Sequence, residues 1–273
     1  MTTEISAEAR KKWQVPSFEI SFYGKKDRDW CVVIPVINEG IRIRKLLYKM
    51  AEKNIPKLAD IIIVDSGSTD GSLDKGYLQE KGVKGLLVKT GPGKLSSQLR
   101  CAYYFALEEG YRGIVTIDGN DKDDPGAIER FIGALEEGVD FVQASRFIPG
   151  GMEENTPKSR YLAVRLLHAP LLSISSGFHW TDTTQGFRAY SRRMLLDSRL
   201  SIFRDVFQGY ELLAYLSYRV PGLGYRCMEI PTVRKYPEGK VPTKISSLKG
   251  NLELIRVLFR ACLGYYNPGR KQD

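Results

Sequence analysis

Three short apolar runs, each closing on a loop of acids, glycines and hydroxyls, restrict this chain to very few folds. Trp30-Cys31-Val32-Val33-Ile34-Pro35 leads into Val36-Ile37-Asn38-Glu39-Gly40, and Asp60-Ile61-Ile62-Ile63-Val64 leads into Asp65-Ser66-Gly67-Ser68-Thr69-Asp70-Gly71. The third, Gly113-Ile114-Val115-Thr116-Ile117, leads into Asp118-Gly119-Asn120-Asp121-Lys122-Asp123-Asp124. Runs this short and β-branched read as strands buried on both faces. Between them, Ile43, Leu46, Leu47 and Met50, then Leu99, Ala102, Tyr103 and Ala106, keep helical spacing, with charge expected on the opposite faces. Strand and helix in alternation mean right-handed crossovers and a mainly parallel central sheet flanked by helices. All three loops then gather on one sheet edge, where ligands of open α/β folds bind.

The third loop is the richest. A carboxylate cluster at a strand's carboxyl end, with glycine between Asp118 and the Asn120 amide, suits a hard divalent cation that also touches a substrate phosphate. The same letters suit a solvated capping turn. Asp124-Pro125 is a good N-cap followed by Pro at the first helical position, and Ile128, Phe131, Ile132 and Leu135 keep helical spacing. A second strand with the same kind of ending favours a ligand, because a nucleotide across this edge would meet amides, short hydroxyls and acids. Phosphate-loop alternatives fail on the letters. Gly91-Pro92-Gly93-Lys94 resembles the end of a Walker A loop, but Leu95 follows it and Val88 stands where the first glycine belongs. No G-x-G-x-x-G follows the first strand. Lys94 is either a cation for a diphosphate or an exposed surface lysine.

Five ordered segments carry a resemblance to a known family: Val33 to Glu39, Val64 to Gly71, Ile117-Asp118-Gly119-Asn120, Ala144-Ser145-Arg146-Phe147, and Asp182-Thr183-Thr184-Gln185-Gly186-Phe187-Arg188-Ala189-Tyr190. They occur in the order of family 2 glycosyltransferases, and resemble above all the dolichyl-phosphate mannose synthase branch, over residues 30–245. The resemblance implies a GT-A fold, a UDP- or GDP-sugar donor, inversion at the anomeric carbon, and Mg²⁺ or Mn²⁺ held by a D-x-D element. By position it implies that Pro35, Asn38 and Glu39 border the nucleotide, that Asp65 faces the base with Ser66 and Gly67 beside it, and that Asp118 and Gly119 meet the donor or its metal. One departure matters. The second acid of D-x-D is Asn120, an amide ligand without charge, so metal binding weakens unless Asp121 rotates in or Lys122 offsets the diphosphate itself.

Composition fits an enzyme working beside a membrane. Forty-one Lys and Arg against 32 Asp and Glu leave +9, a balance suited to anionic lipid or phosphorylated substrates. Nucleic acid is disfavoured, since the basic residues are scattered rather than set on a recognition motif. The first residues lack the apolar core of a signal peptide, and no run reaches the length needed to span a bilayer. Cys31, Cys101, Cys227 and Cys262 are far apart, and with only His168 and His179 beside them there is no zinc pattern; they read as reduced core residues of a cytoplasmic, peripherally membrane-associated protein. Residues 1–28 read as an N-terminal extension, 29–245 as the GT-A domain, and 246–273 as an amphipathic helix and tail. In that helix Leu252, Ile255, Phe259, Cys262 and Tyr266 oppose Lys249, Glu253, Arg256 and Arg260, a pattern for a membrane interface or for a helix docked on the protein. Tyr161 to Phe178, broken by Pro170, reads as an acceptor lid or as core.

The acceptor sets the mechanism. A polyprenyl phosphate is already an anion and needs positioning, whereas a sugar hydroxyl needs a carboxylate to take its proton. Arg146, Arg188, Arg234 and Lys244 argue for phosphate, because guanidinium forks bind its oxygens bidentately. Asp182 is the candidate base or acceptor-orienting group, or else it caps the turn before Gly186. Pro231 to Lys244 reads as a loop that closes over both phosphates. With the resemblance, these residues lead to the expectation of a metal-dependent inverting glycosyltransferase, with Asp118, Asp182, Arg146 and Arg188 at its centre, that moves a sugar from a nucleotide diphosphate to a polyprenyl (dolichyl or undecaprenyl) phosphate at the cytosolic face of an anionic membrane. Transfer to a glycan hydroxyl is one alternative. A weakly active nucleotide-sugar-binding subunit of a membrane-anchored partner is the other.

Overall fold

A computed structural model describes residues 5, 7–237 and 248–269. Its strands are β1 Phe18–Tyr23, β2 Trp30–Val36, β3 Asp60–Asp65, β4 Val83–Lys89, β5 Gly113–Thr116, β6 Phe141–Ser145, β7 Met152–Glu154, β8 Arg188–Ser191, β9 Cys227–Pro231 and β10 Val233–Lys235. The three apolar runs become β2, β3 and β5, adjacent and parallel. They belong to an eight-stranded sheet of order β1-β4-β3-β2-β5-β8-β6-β9. β4 and β9 extend the parallel pairings, while β8 runs antiparallel between β5 and β6, and β1 antiparallel on the β4 edge. The stretch read as an extension thus supplies the sheet's edge strand.

Both faces of the sheet are covered, which is why β2 and β3 are apolar at nearly every position. Alternate residues of β2 divide between two cores: Cys31 and Val33 face helix Leu95–Glu108, whereas Val32, Ile34 and Val36 face helices Ile41–Glu52 and Ile128–Glu136. Each such aliphatic side chain removed from water contributes about 1.5–3 kcal/mol. Helix Ile41–Glu52 buries Ile43, Leu46, Leu47 and Met50, as its spacing demands. Helix Leu95–Glu108 does not keep the expected polar face. Helix Glu211–Gly222 and the N-terminal segment cover its outer side, so Ser96, Ser97 and Arg100 are buried too, with Arg100 donating to the Gln14 carbonyl, while Gln98 is buried against the sheet.

The chain steps from β2 outward to β3 and β4, then returns to the opposite side of β2 with β5. This reversal of strand order opens a crevice at the β2/β5 carboxyl ends. β6 and β9 end on the same edge, and antiparallel β8 begins there. The segments after β2, β3, β5, β6 and β9 and the one before β8 therefore all converge, although Lys244 lies outside the described residues.

Candidate active site

The β2 and β3 loops are joined before any ligand arrives. Asn38, in a left-handed conformation (φ 49°), receives through its Oδ1 the Thr69 N–H at 2.8 Å and donates its own N–H to Ser68 Oγ at 2.9 Å. Gly40 N–H donates to Asp70 Oδ2 at 2.8 Å, and Ser68 Oγ donates to Asp65 at 2.6 Å. Beneath them, the buried Gln98 amide donates to the Val36 and Val64 carbonyls at 2.8 and 2.6 Å, pinning both strand ends. Glu39 is paired with Arg42 at the start of the next helix (2.8 Å). Pro35 is buried within β2, and Ser66 N–H bonds the Val36 carbonyl, with Gly67 following at φ 89°. Lys94, at the N-terminus of helix Leu95–Glu108, is largely exposed and 3.8 Å from Glu253.

Across the crevice the acidic loop separates into distinct roles. Asp124 caps the turn into helix Ile128–Glu136 by accepting from Gly126 N–H (3.0 Å), so the capping reading holds for that residue. Asp121, at φ 57°, turns outward to Lys49 (2.7 Å). Asp123 is buried on Arg234 Nη1 at 2.6 and 2.8 Å. Asp118 remains partly open: its side chain is 23 % exposed, with Arg234 Nη2 at 3.4 Å. Close approach explains two glycines. A Cβ on Gly119 would press on Val36 and the Pro35 carbonyl at 3.0 and 3.2 Å, and one on Gly186 would fall 2.3 Å from Asp118 Oδ1. The Asn120 amide oxygen accepts from Lys122 N–H at 3.2 Å. Among the described residues no three His, Cys, Asp or Glu side chains group as a metal cage. Asp118 with Asn120 offers one carboxylate and one amide, a set that fits a cation completed by substrate phosphates and water.

Asp182 and Arg146 form one buried unit. The guanidinium meets the carboxylate at 2.7 and 3.1 Å, and neither side chain exceeds 1 % exposure. Glu229 of β9 accepts from Thr181 and Asp182 N–H and so fixes that loop. Among the described residues Arg146 Nη1 is nevertheless left buried without a hydrogen-bond partner. Arg188 does not join this cluster: wholly buried, it donates to the Gln185, Thr183 and Leu213 carbonyls, and its fork is occupied by main chain rather than open to a phosphate.

Arg234, which reaches Asp118, also faces Tyr236. Lys122 Nζ lies 4.9 Å from its ring centroid, the Arg234 and Arg160 guanidiniums 5.7 and 5.8 Å, and Arg160 Nη1 donates to its hydroxyl at 3.2 Å. Burial pushes the phenol up, yet Arg234, Arg160 and Arg146 pull it down to about 8, which registers the positive potential of the pocket. Nothing in the sequence singles out Arg160, Tyr236, Gln98 or Glu229; only Tyr236 falls within a segment that composition marks as a loop.

Two helical segments carry apolar residues into solvent. Lys158–Ser176, which includes a π turn at Val164–His168, exposes Leu162, Leu166 and Ile174, the last at 83 %. Helix Leu248–Cys262 packs on Ala169–Ser176 and on Glu211–Gly222 through Val257, Leu258 and Ala261, and turns Leu252, Phe259 and Leu263 outward. The apolar face expected from its spacing is therefore divided between core and solvent, with Tyr266 buried. No helix among the described residues is long and apolar enough to cross a membrane.

The model for the family described as "Glycosyl transferase family 2" matches residues 31–198. Polyprenol monophosphomannose synthase of Mycolicibacterium smegmatis is 27 % identical over 204 residues, 73 % of this chain and 75 % of that protein. Undecaprenyl-phosphate mannosyltransferase of Micrococcus luteus is 28 % identical over 202 residues, 73 % and 80 % of the two chains. A structure of glucosyl-3-phosphoglycerate synthase from Mycobacterium tuberculosis, in complex with Mn²⁺, UDP-glucose and phosphoglyceric acid, superposes with a TM-score of 0.59 at 17 % identity, covering 89 % of this chain and 81 % of that one. The fold is GT-A.

Proposed function

Because the chain belongs to glycosyl transferase family 2, we propose that it transfers a hexose from a nucleoside diphosphate to a polyprenyl phosphate, with inversion, at the cytosolic face of a membrane. The observation that carries the acceptor class is the charge of the crevice. Lys122, Arg160 and Arg234 surround Tyr236, Arg234 also reaches Asp118, the charge of Arg146 is felt at the Tyr236 phenol, and one buried Arg146 donor has no hydrogen-bond partner among the described residues. A basic pocket with an idle buried donor is completed by an anion.

The acids argue the same way. A hydroxyl acceptor requires a carboxylate free to take its proton, and Asp121, Asp123 and Asp182 are held by Lys49, Arg234 and Arg146. A phosphate acceptor brings its own charge. In this reading the joined β2 and β3 loops hold the nucleotide through Asn38, Asp65 and neighbouring main chain, and Arg146, Arg160 and Arg234 orient the acceptor oxygen opposite the departing diphosphate. Asp118 with Asn120 would hold Mg²⁺ or Mn²⁺, whose charge stabilises the leaving diphosphate when bound. The exposed stripes, with Arg165 and Arg256 among them, give the apolar and basic contacts that a bilayer surface takes.

The test is incubation of the full chain with UDP- and GDP-hexoses and a short-chain polyprenyl phosphate, with product identified by mass spectrometry and its anomeric configuration by NMR. A glycosyl phospholipid of inverted configuration is expected. Transfer only to glycan hydroxyls would replace this reading with the polysaccharide alternative.

A further inference from the structure

Successive residues of the helical segment that opens at Lys158 meet three different surroundings. Arg160 turns into the basic pocket, its Nη1 donating to the Tyr236 hydroxyl at 3.2 Å. Tyr161 meets the Phe147 ring edge to face with centroids 5.5 Å apart, and Arg165, one turn further along the same face, sets its guanidinium 5.2 Å from the Phe147 centroid. Leu162 and Leu166 look outward, 52 % and 72 % exposed. Phe147 is also joined to the pocket, since the Arg146 guanidinium lies 4.9 Å from its ring centroid. A tight turn fixes it there: Gly151 N–H closes on the Ile148 carbonyl at 2.8 Å, and a Cβ on Gly151 would fall 2.7 Å from the Ser145 carbonyl. Among the described residues the two cores take in Leu167, Leu171 and Phe178 from the same part of the chain, but neither Phe147 nor Tyr161. The ring pair is thus held in place yet left partly in water, with Tyr161 38 % exposed. A ligand that covers it gains the apolar burial that folding leaves unused. Cations at the inner end, rings between, and leucines at the outer end match an amphiphile with an anionic head and a long hydrocarbon tail.

We propose that Phe147 and Tyr161 form the subsite for the first isoprene units of the acceptor, taking the chain where it leaves the phosphate held by Arg146 and Arg160 and passing it on to Leu162 and Leu166. The inference deepens the polyprenyl-phosphate reading above and rests on it. The site then selects a phosphate by the chain attached to it.

Calorimetric titration of inorganic phosphate, geranyl phosphate and farnesyl phosphate into the full chain tests this, each below its micellar concentration, for the wild type, Phe147→Ala, Tyr161→Ser and Ile174→Ser. Wild type is expected to bind farnesyl phosphate at least about a hundredfold more tightly than inorganic phosphate, with geranyl phosphate between them, because a chain gains about tenfold for every two methylenes it buries. Phe147→Ala and Tyr161→Ser should each lose about tenfold for farnesyl phosphate, the worth of one partly covered ring, and bind inorganic phosphate as the wild type does. Tyr161 stands at the surface, so its exchange leaves the fold intact, and unchanged melting temperatures would exclude misfolding as the cause. Ile174→Ser, about 20 Å further along the segment at 1.5 Å per residue, should match the wild type with all three ligands. A wild type indifferent to the chain, ring variants that bind farnesyl phosphate as tightly as the wild type, or an equal loss in Ile174→Ser would overturn the subsite and leave the phosphate site standing. No binding of any of the three ligands would overturn both.

Discussion

Replacing Asp182 by Asn tests whether this acid serves structure or chemistry. Its carboxylate is fully buried, faces the Arg146 fork at 2.7 and 3.1 Å, and accepts from the Gln185 amide at 2.5 Å. The asparagine retains the shape and removes the charge, leaving Arg146 as an uncompensated cation with no water to screen it. Breaking one side of a buried pair in this way costs about 3–5 kcal/mol. At roughly 2–4 °C per kcal/mol for a chain near this size, the melting temperature should fall by about 6–20 °C. The assay is thermal unfolding followed by circular dichroism, paired with transfer measured well below the transition. The double variant Asp182→Leu with Arg146→Met, which exchanges the ion pair for apolar volume, should regain much of the lost stability while still failing to bind acceptor. If Asp182→Asn melted within about 2 °C of wild type and yet lost transfer, the acid would be a proton acceptor, and the hydroxyl-acceptor alternative would return.

Gly186→Ala should cut transfer by about 10²–10³ without unfolding the chain, since its methyl would displace the Asp118 carboxylate from 2.3 Å away; steady-state rates at the wild-type level would mean that Asp118 need not be held in place. Tyr236 gives a pH signature. Its phenol is held at about 8 against an ordinary 10, so the phenolate is favoured by the fold: the stability it contributes grows as pH rises from about 8 to 10 and is lost as pH falls through 8. The same phenolate cancels cationic charge, so the acceptor KM should climb above about pH 8 in wild type and stay flat in Tyr236→Phe, as kinetics across that range would reveal. Serine at Leu252, Phe259 and Leu263 should release the protein from anionic vesicles, each side chain losing up to about 1.5–3 kcal/mol of apolar contact; undiminished sedimentation would assign the stripe to another partner.

Much of the fold is legible in the letters because the strands that build it are uniformly buried. β2, β3 and β5 have no polar face to obscure them, and Ile43, Leu46, Leu47 and Met50 repeat at the helical period because a single side of their helix meets the sheet. β4 is harder to read, with Lys84 and Gly85 interrupting its apolar residues, and β1 is half exposed on an edge, so neither carries a clear pattern. Asp118, Asp121 and Asp123 look alike in sequence, yet they differ in partner, exposure and φ.

Local chemistry decides where a strand ends on acids and where Asp124 caps a helix, since both depend on neighbours a few residues apart, and the alternation of strand and helix, through right-handed crossovers, sets three such endings on one edge. Which charge meets which depends on distances across the sheet. Arg234 reaches Asp123 and Asp118 from 111 and 116 residues away, Asp182 takes Arg146 from 36 away, and Arg188 ends among main-chain carbonyls although its neighbours in sequence carry the motif. Electrostatic pairing is set by separation in space and by loss of solvent. Antiparallel β8, which brings Gly186 against Asp118, fixes both only when the sheet closes around it.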